Sequence, residues 1–232
     1  MIVMRTVAFI FTLLLSLHCN AQNSNSKDNI QKDSIMKEIM KLPKFDKEYE
    51  VFDREKYSPK EKESERRKSG FSDNYKEYDE HKRLRKYIYV PHDNGDIGEY
   101  DYSENPVMSM TKGFYKENNG IKVKGIHCWF GFRIGLWYYY DLEGNLIRTE
   151  NCDEGFDFTA EDIFKYCIDN NISLERKDEG ERTEIRRGVL ENGRLVWNIE
   201  YPDYKKRKTI HIAMDGKTGK VIEVIERNFP IQ

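Results

Sequence analysis

Several groups of residues in this chain have types and spacings that could do chemistry. His127-Cys128 sets an imidazole beside a thiol, the pair a cysteine nucleophile needs. On a strand, adjacent residues point to opposite faces, so these two cannot form a dyad. No second histidine stands in a cysteine-protease context. The run His92-Asp93-Asn94-Gly95-Asp96-Ile97-Gly98-Glu99-Tyr100-Asp101 gathers oxygen ligands around glycines, as a calcium loop does. Its spacing is not that of an EF-hand, and Asn-Gly and Asp favour turns for backbone reasons alone. Asp153, Glu154, Asp157, Glu161 and Asp162 form an acidic cluster that leads into a helix. A helix dipole stabilises carboxylates at its N-terminus, so the cluster needs no general acid or base to explain it. Lys205-Lys206-Arg207-Lys208 is a basic run. It is too narrow for a nucleic-acid face and suits a solvated hairpin tip, or contact with an acidic partner or an anionic envelope surface. Phosphate-binding glycine loops, zinc spacings and nucleophile elbows are absent from the sequence. No catalytic, cofactor-binding or metal-binding residue is therefore assigned. A hydrolase would require a deep pocket that holds His127 or His211 beside a carboxylate.

The elements around these groups are legible from period and turn chemistry. Thr159 is an N-cap, and Asp162 can return its bond as a variant capping box. Ala160, Ile163, Phe164, Cys167 and Ile168 then recur at helical spacing, and Asn170 and Asn171 end the helix. Strands follow over Thr183–Leu190, Leu195–Tyr201, Thr209–Met214 and Lys220–Glu226, each break carrying turn residues. Leu195, Trp197, Ile199 and Tyr201 share one face. On the last strand, Val221, Glu223 and Ile225 take one face, and Ile222 and Val224 take the other. The last two strands are joined by Asp215-Gly216-Lys217-Thr218-Gly219-Lys220. Asp215 can accept backbone N–H bonds across that turn, and the two glycines supply positive φ. One amphipathic helix on a small antiparallel sheet is the natural arrangement.

Upstream, Gly135-Leu136-Trp137-Tyr138-Tyr139-Tyr140-Asp141-Leu142-Glu143-Gly144-Asn145-Leu146-Ile147 reads as a strand, a Gly144-Asn145 turn and a second strand. A weaker copy is Tyr75-Lys76-Glu77-Tyr78-Asp79, with Leu84 five residues after Asp79 as Leu146 is five after Asp141. That copy has His81-Lys82-Arg83 where a turn glycine is expected. A third is Phe114-Tyr115-Lys116-Glu117-Asn118-Asn119-Gly120-Ile121. Repeated hairpins of this kind stack into one twisted sheet. The fold class is α+β: an antiparallel aromatic β-hairpin layer, then a helix-on-antiparallel-sheet unit. Asn151–Phe156 is a short link, so the two parts should pack together.

Lys and Arg number 39 against 41 Asp and Glu, a balance that gives no reason to invoke nucleic acid. Arg5, the apolar run Val7–Leu17 and the small-residue site before Gln22 read as a cleavable leader over 1–21. Its apolar run is too short to span a bilayer comfortably, so no transmembrane span remains after cleavage. The rival is a lipid anchor at Cys19, although His18 stands where a lipobox wants a small residue. Export makes the protein secreted or periplasmic; the alternative is an envelope lipoprotein. Cys128, Cys152 and Cys167 then remain, an odd number. An odd count implies one free thiol or an intermolecular bridge; Cys167 lies on the helix stripe as a small hydrophobe, and Cys128–Cys152 is the favoured pair if a disulfide forms. Residues 22–70 are polar and mixed in charge, with a short helix hinted by Ile30, Ile35, Ile39 and Leu42 before Pro43. Tyr57–Lys68 holds almost no apolar side chains, so 22–70 reads as a charged, poorly ordered tether. Aromatic residues, 13% of the chain, cluster after Phe71 and place the core there.

Residues 151–232, through Thr159-Ala160-Glu161-Asp162, Trp197, Asp215 and Thr218-Gly219, resemble the PepSY domain. The resemblance implies an exported protein of a family associated with propeptides that restrain peptidases, and it brings no catalytic motif. Residues 71–150, through the Trp137 hairpin, resemble MORN-like variant repeats of secreted bacterial proteins and some antitoxin-like proteins. There the glycines and aromatics, here Gly144, Trp137 and Tyr140, are structural and present a surface. The expected function is a secreted, non-enzymatic protein-interaction module of the bacterial envelope that restrains or escorts a peptidase. The alternative is an immunity or antitoxin-like binder of a toxin protein, and an unrecognised hydrolase ranks below both.

Overall fold

The computed structural model describes residues 36–57, 72–91, 95–176 and 182–229. Residues 1–35, which include the expected leader 1–21 and Cys19, residues 58–71, and His92-Asp93-Asn94 lie outside the described residues. The chain divides into two compact units, Met1–Met40 and Lys41–Gln232. In the first, residues 36–39 make a helical turn, and Met40 N–H donates to Met36 O at 2.9 Å.

Eleven antiparallel strands among the described residues form two sheets. The first has seven, in chain order: β1 (Ser72–Tyr78), β2 (Leu84–Pro91), β3 (Ile97–Asp101), β4 (Met108–Phe114), β5 (Ile121–Cys128), β6 (Phe132–Tyr140) and β7 (Leu146–Asn151). The second has four: β8 (Glu184–Val189), β9 (Leu195–Asp203), β10 (Lys208–Asp215) and β11 (Val221–Asn228), with β8 and β11 at its edges. The helix Ala160–Asp169 lies between the two sheets in sequence. Its Thr159–Asp162 capping box is formed, and Ala160, Ile163, Phe164 and Cys167 are buried. Among the described residues no helix is long and apolar enough to cross a membrane.

The three aromatic hairpins of the sequence are β1–β2, β4–β5 and β6–β7. The first turns without glycine. Lys82 takes φ +61, and the Asp79 carboxylate accepts the N–H groups of His81 and Arg83. In the second, Asn119 rather than Gly120 adopts positive φ, at +58. β3 occupies the second half of the oxygen-rich run His92–Asp101. Its alternation is interrupted by Gly98 and charged residues, so it does not read as a strand in isolation.

The charge-rich segment that composition assigns to a tether is partly built into the fold. Residues 46–52 lie against the seven-stranded sheet as a strap. Ile121 N–H donates to Glu50 O and Phe52 N–H to Asn119 O, both at 2.8 Å, around a Val51–Gly120 bridge. Phe52 is buried in a cluster with Ile88, Ile97, Phe114, Ile121 and Tyr140. Phe45 also packs on Tyr138 and Tyr57 on Tyr75, and composition, averaged over the window, hides these few aromatic anchors. The strap also supplies charge. Lys112 and Lys124 stand directly opposite on β4 and β5, where like charges repel. Glu50 is placed between them and pairs with both. Lys124, 0% exposed, also donates to Glu48 O at 2.6 Å and lies 3.4 Å from the Asp46 carboxylate. Further along, Lys86 pairs with Glu99 and Asp101 at 3.0 and 3.1 Å.

The two sheets pack together through aromatic rings and two arginines. Phe132 of β6 meets Trp197 of β9 edge-on at 5.1 Å, and Phe130 and Phe132 both touch Phe164 of the helix. Arg187 of β8 donates to Arg133 O, Cys152 O and the Asp153 carboxylate, and its guanidinium lies over Trp197, Phe132 and Phe156. Arg176 reaches from beyond the helix to Leu84 O and Pro106 O, against the Tyr102 and Trp129 rings.

Candidate interaction surface

The Asp215 turn fixes the position of β11. Asp215 Oδ1 accepts the N–H groups of Lys217 and Thr218 and the Thr218 hydroxyl, at 3.2, 2.7 and 2.7 Å. Its Oδ2 takes Arg194 Nε at 2.6 Å. The Thr218 hydroxyl and the Arg194 guanidinium hold this carboxyl far below the usual carboxylate range. Only one of the two glycines has positive φ. Gly219 stands at φ +68, and a Cβ there would also meet the Phe158 ring at 2.3 Å. Gly216 serves by size instead, because a Cβ would come within 3.0 Å of Leu195 O while its N–H bonds that same oxygen.

β11 itself is open. It pairs with β10 on one side, and among the described residues no strand pairs with the other. Val221, Ile222 and Val224 are exposed, Val224 at 54%. A register shift between Ala213 and Met214 alters the expected faces. Met214 pairs with Val221 and Ile212 with Val224, so both valines continue the core-facing side. Glu223, Ile225 and Arg227 pair with Ala213, His211 and Thr209 on the outer side. The extra residue of the bulge moves Val221 across, which alternation alone cannot foresee.

Backbone direction defines what the edge offers. Phe229 N–H donates to Arg207 O, so residue 229 points toward β10. Along a strand N–H and C=O groups alternate in direction, and those of Val224, Glu226 and Asn228 therefore point outward. At the far end Tyr204, 58% exposed, packs edge-on against Phe229. Tyr204 also lines a cleft of about 440 Å³ with Asn171, Arg182, Tyr201, Asp203 and Lys205. Two of the four cations in the basic run beside it are paired. Lys206 and Lys208 both pair with Glu226, and the Asp203 carboxylate accepts the N–H groups of Lys205 and Lys206. The cleft contains no nucleophile–base pair, and neither His127 nor His211 lines it.

The other residues singled out by the sequence sit inside the scaffold. Trp197 is fully buried, and its indole N–H donates to Phe158 O at 2.8 Å. Trp137 is buried with its ring against Gly125, where a Cβ would be 2.3 Å from it. Tyr140 is buried and donates to Lys47 O of the strap at 2.7 Å. Gly144 adopts φ +88, and Asn145 bonds the Asp141 carboxylate through its backbone and side-chain nitrogens. Cys128, Cys152 and Cys167 are all free, so Cys128 is not joined to Cys152. Burial pushes the Cys128 thiol up to about 12, and burial followed by the Arg133 charge lowers the His127 imidazole. Both shifts leave the pair uncharged at neutral pH, with no thiolate to react.

In the oxygen-rich segment, Asp96 pairs with Lys122 at 2.6 Å while Glu99 and Asp101 serve Lys86. Among the described residues no group of three or more His, Cys, Asp or Glu could hold a metal ion. In the acidic cluster, Asp153 serves Arg187 and Gly135 N–H, and Asp162 serves the helix cap. Sequence reasoning missed Arg176, Arg187 and the Lys124–Glu50 pair. Their only linear signal is a long cation among aromatics or on an apolar strand. No protein-family model, no curated protein and no solved structure matches this chain.

Proposed function

We propose that this protein is a secreted, non-enzymatic interaction module of the bacterial envelope that restrains or escorts a peptidase. Residues 151–232 act as a PepSY-like helix-on-sheet unit, and residues 71–150 act as MORN-like hairpins that support it. The observation that carries this is the open edge of β11, with apolar side chains exposed and backbone groups directed outward. An extended segment of a partner protein can add to such an edge, with main-chain bonds giving affinity and side-chain contacts giving choice. Tyr204, which packs against Phe229 at the end of β11, also lines the cleft. Export by the leader 1–21 places the protein in the periplasm or outside the cell; anchoring at Cys19 would keep it on the envelope.

An immunity-type binder built on the Trp137 hairpin is less well supported. That indole is buried on Gly125 and is not part of a presented aromatic patch.

The test is site-specific photo-crosslinking from position 222 of β11 in the host envelope and medium. A single stoichiometric peptidase adduct is the expected result. Adducts spread over many abundant proteins, or none with a peptidase, would overturn the assignment.

A further inference from the structure

We infer that β11 also pairs with β11 of a second copy of this chain, antiparallel about a two-fold axis centred on Ile225. The inference rests on β11 being the binding edge, but not on the identity of any partner.

The backbone restricts the choice of register. Residues directly opposite in an antiparallel pair are either both hydrogen-bonded or both not. Because Val224, Glu226 and Asn228 point outward, outward residues must face outward residues. The two-fold registers that satisfy this centre on a single residue of the strand. Centring on Glu223 or Glu226 sets two glutamates face to face, and centring on Arg227 sets two arginines face to face. Centring on Val224 places Glu223 against the apolar Ile225. Centring on Ile225 places Glu223 of each copy opposite Arg227 of the other, on either side of an Ile225–Ile225 contact. All three side chains project from the outer side of the sheet, so the pairs meet on one face. Glu223 and Arg227 make no ion pair within the described residues of the chain. On the other face Val224 lies beside Glu226 of the second copy, whose charge is already met by Lys206 and Lys208. Val224 and Glu226 then exchange N–H···O=C bonds across the axis, and the two four-stranded sheets become one.

Such a pairing buries the edge that a partner segment would use. Self-association and partner binding are therefore mutually exclusive, and the dimer is a stored form of the module. A single added strand is a small interface, so association in the micromolar range is expected rather than a permanent dimer.

Sedimentation equilibrium of the purified full chain tests this without any partner present. The expected result is a reversible monomer–dimer equilibrium. Glu223→Arg and Arg227→Glu each weaken it by about tenfold or more, because each sets like charges together twice. The double variant Glu223→Arg/Arg227→Glu restores it, since the pairs are re-formed with reversed sign. Val224→Pro abolishes it while leaving the circular dichroism melt unchanged, because the Val224 N–H is not used by β10. A monomer at every concentration would overturn the inference. So would a dimer indifferent to these changes, or single-variant losses that the double variant does not repair. Failure of self-association with a peptidase crosslink intact would remove the dimer and leave the interaction reading standing. The opposite pattern would do the reverse.

Discussion

The covered face of the seven-stranded sheet holds Lys86, Lys112 and Lys124 among carboxylates, whereas the centre of the four-stranded sheet holds Ile185, Trp197, Ile199 and Ile212. Apolar side chains need only to be taken out of water and to fill volume, and a short helix with rings from the other sheet suffices. Buried charges need named partners at hydrogen-bond distance, because an unpaired ion in the interior is costly. Lys112 and Lys124 therefore depend on one strap in one position, whereas Lys86 draws its partners from β3 beside it. The four-stranded sheet depends on packing, and it extends its apolar side past its cover at β11. Tolerance differs accordingly: the first sheet is sensitive to partner geometry, the second to side-chain volume.

The largest effect is expected at the apolar centre. Trp197→Ala should cost about 3–5 kcal/mol in chemical denaturation. An unchanged unfolding midpoint would remove Trp197 from the core. Gly219→Val should cost about 2–3 kcal/mol, from the left-handed backbone and the displaced Phe158 ring. Equal thermal stability of that variant would mean the turn does not set the position of β11.

Arg187→Met tests the join between the sheets. It keeps the stem over Trp197 and Phe132 but loses the bonds to Arg133 O, Cys152 O and Asp153, and about 2 kcal/mol is expected. Near-ultraviolet circular dichroism should change at the same time, since the rings beneath it repack. A variant identical to the parent in both measurements would show that rings alone hold the sheets together.

The effect at the strap is seen as pH dependence. Burial raises the Glu50 carboxyl, but Lys112 and Lys124 outweigh it, so its folded value lies below the ordinary 4.5. A depressed acid contributes stability that is complete above its unfolded value and is lost as pH falls through the folded one. Glu50→Gln should therefore be less stable at neutral pH and lose less stability in acid. Denaturant midpoints across a pH series would show this, and parallel curves for the two proteins would disprove it.

Much of the four-stranded sheet was legible. The Thr159–Asp162 cap, the helix stripe and the alternation of Ile210, Ile212 and Met214 depend on neighbours a few residues apart. The Asp215 turn is equally local, although Gly216 was credited with a φ it does not have. Less of the candidate surface could be read. That β11 is apolar and alternating is plain in the sequence, but its exposure depends on its place at the edge. The bulge that moves Val221 to the other side depends on its pairing with Met214. The Tyr204 cleft draws on the helix end and the β9–β10 hairpin, which are far apart in the chain.

The sequence by itself determined the four strands after the helix, where that helix starts and stops, and that the upstream hairpins carry aromatic faces. Those properties follow from φ and ψ preference and from periods of two and 3.6, which act over a few residues. Only the tertiary structure decided that Glu50 stands between Lys112 and Lys124, that Arg187 joins the two sheets, and that β11 lies at a sheet edge. Each of these joins residues distant in the chain. Burial and charge are fixed by what lies across a face or beside an edge, and no local pattern carries that information.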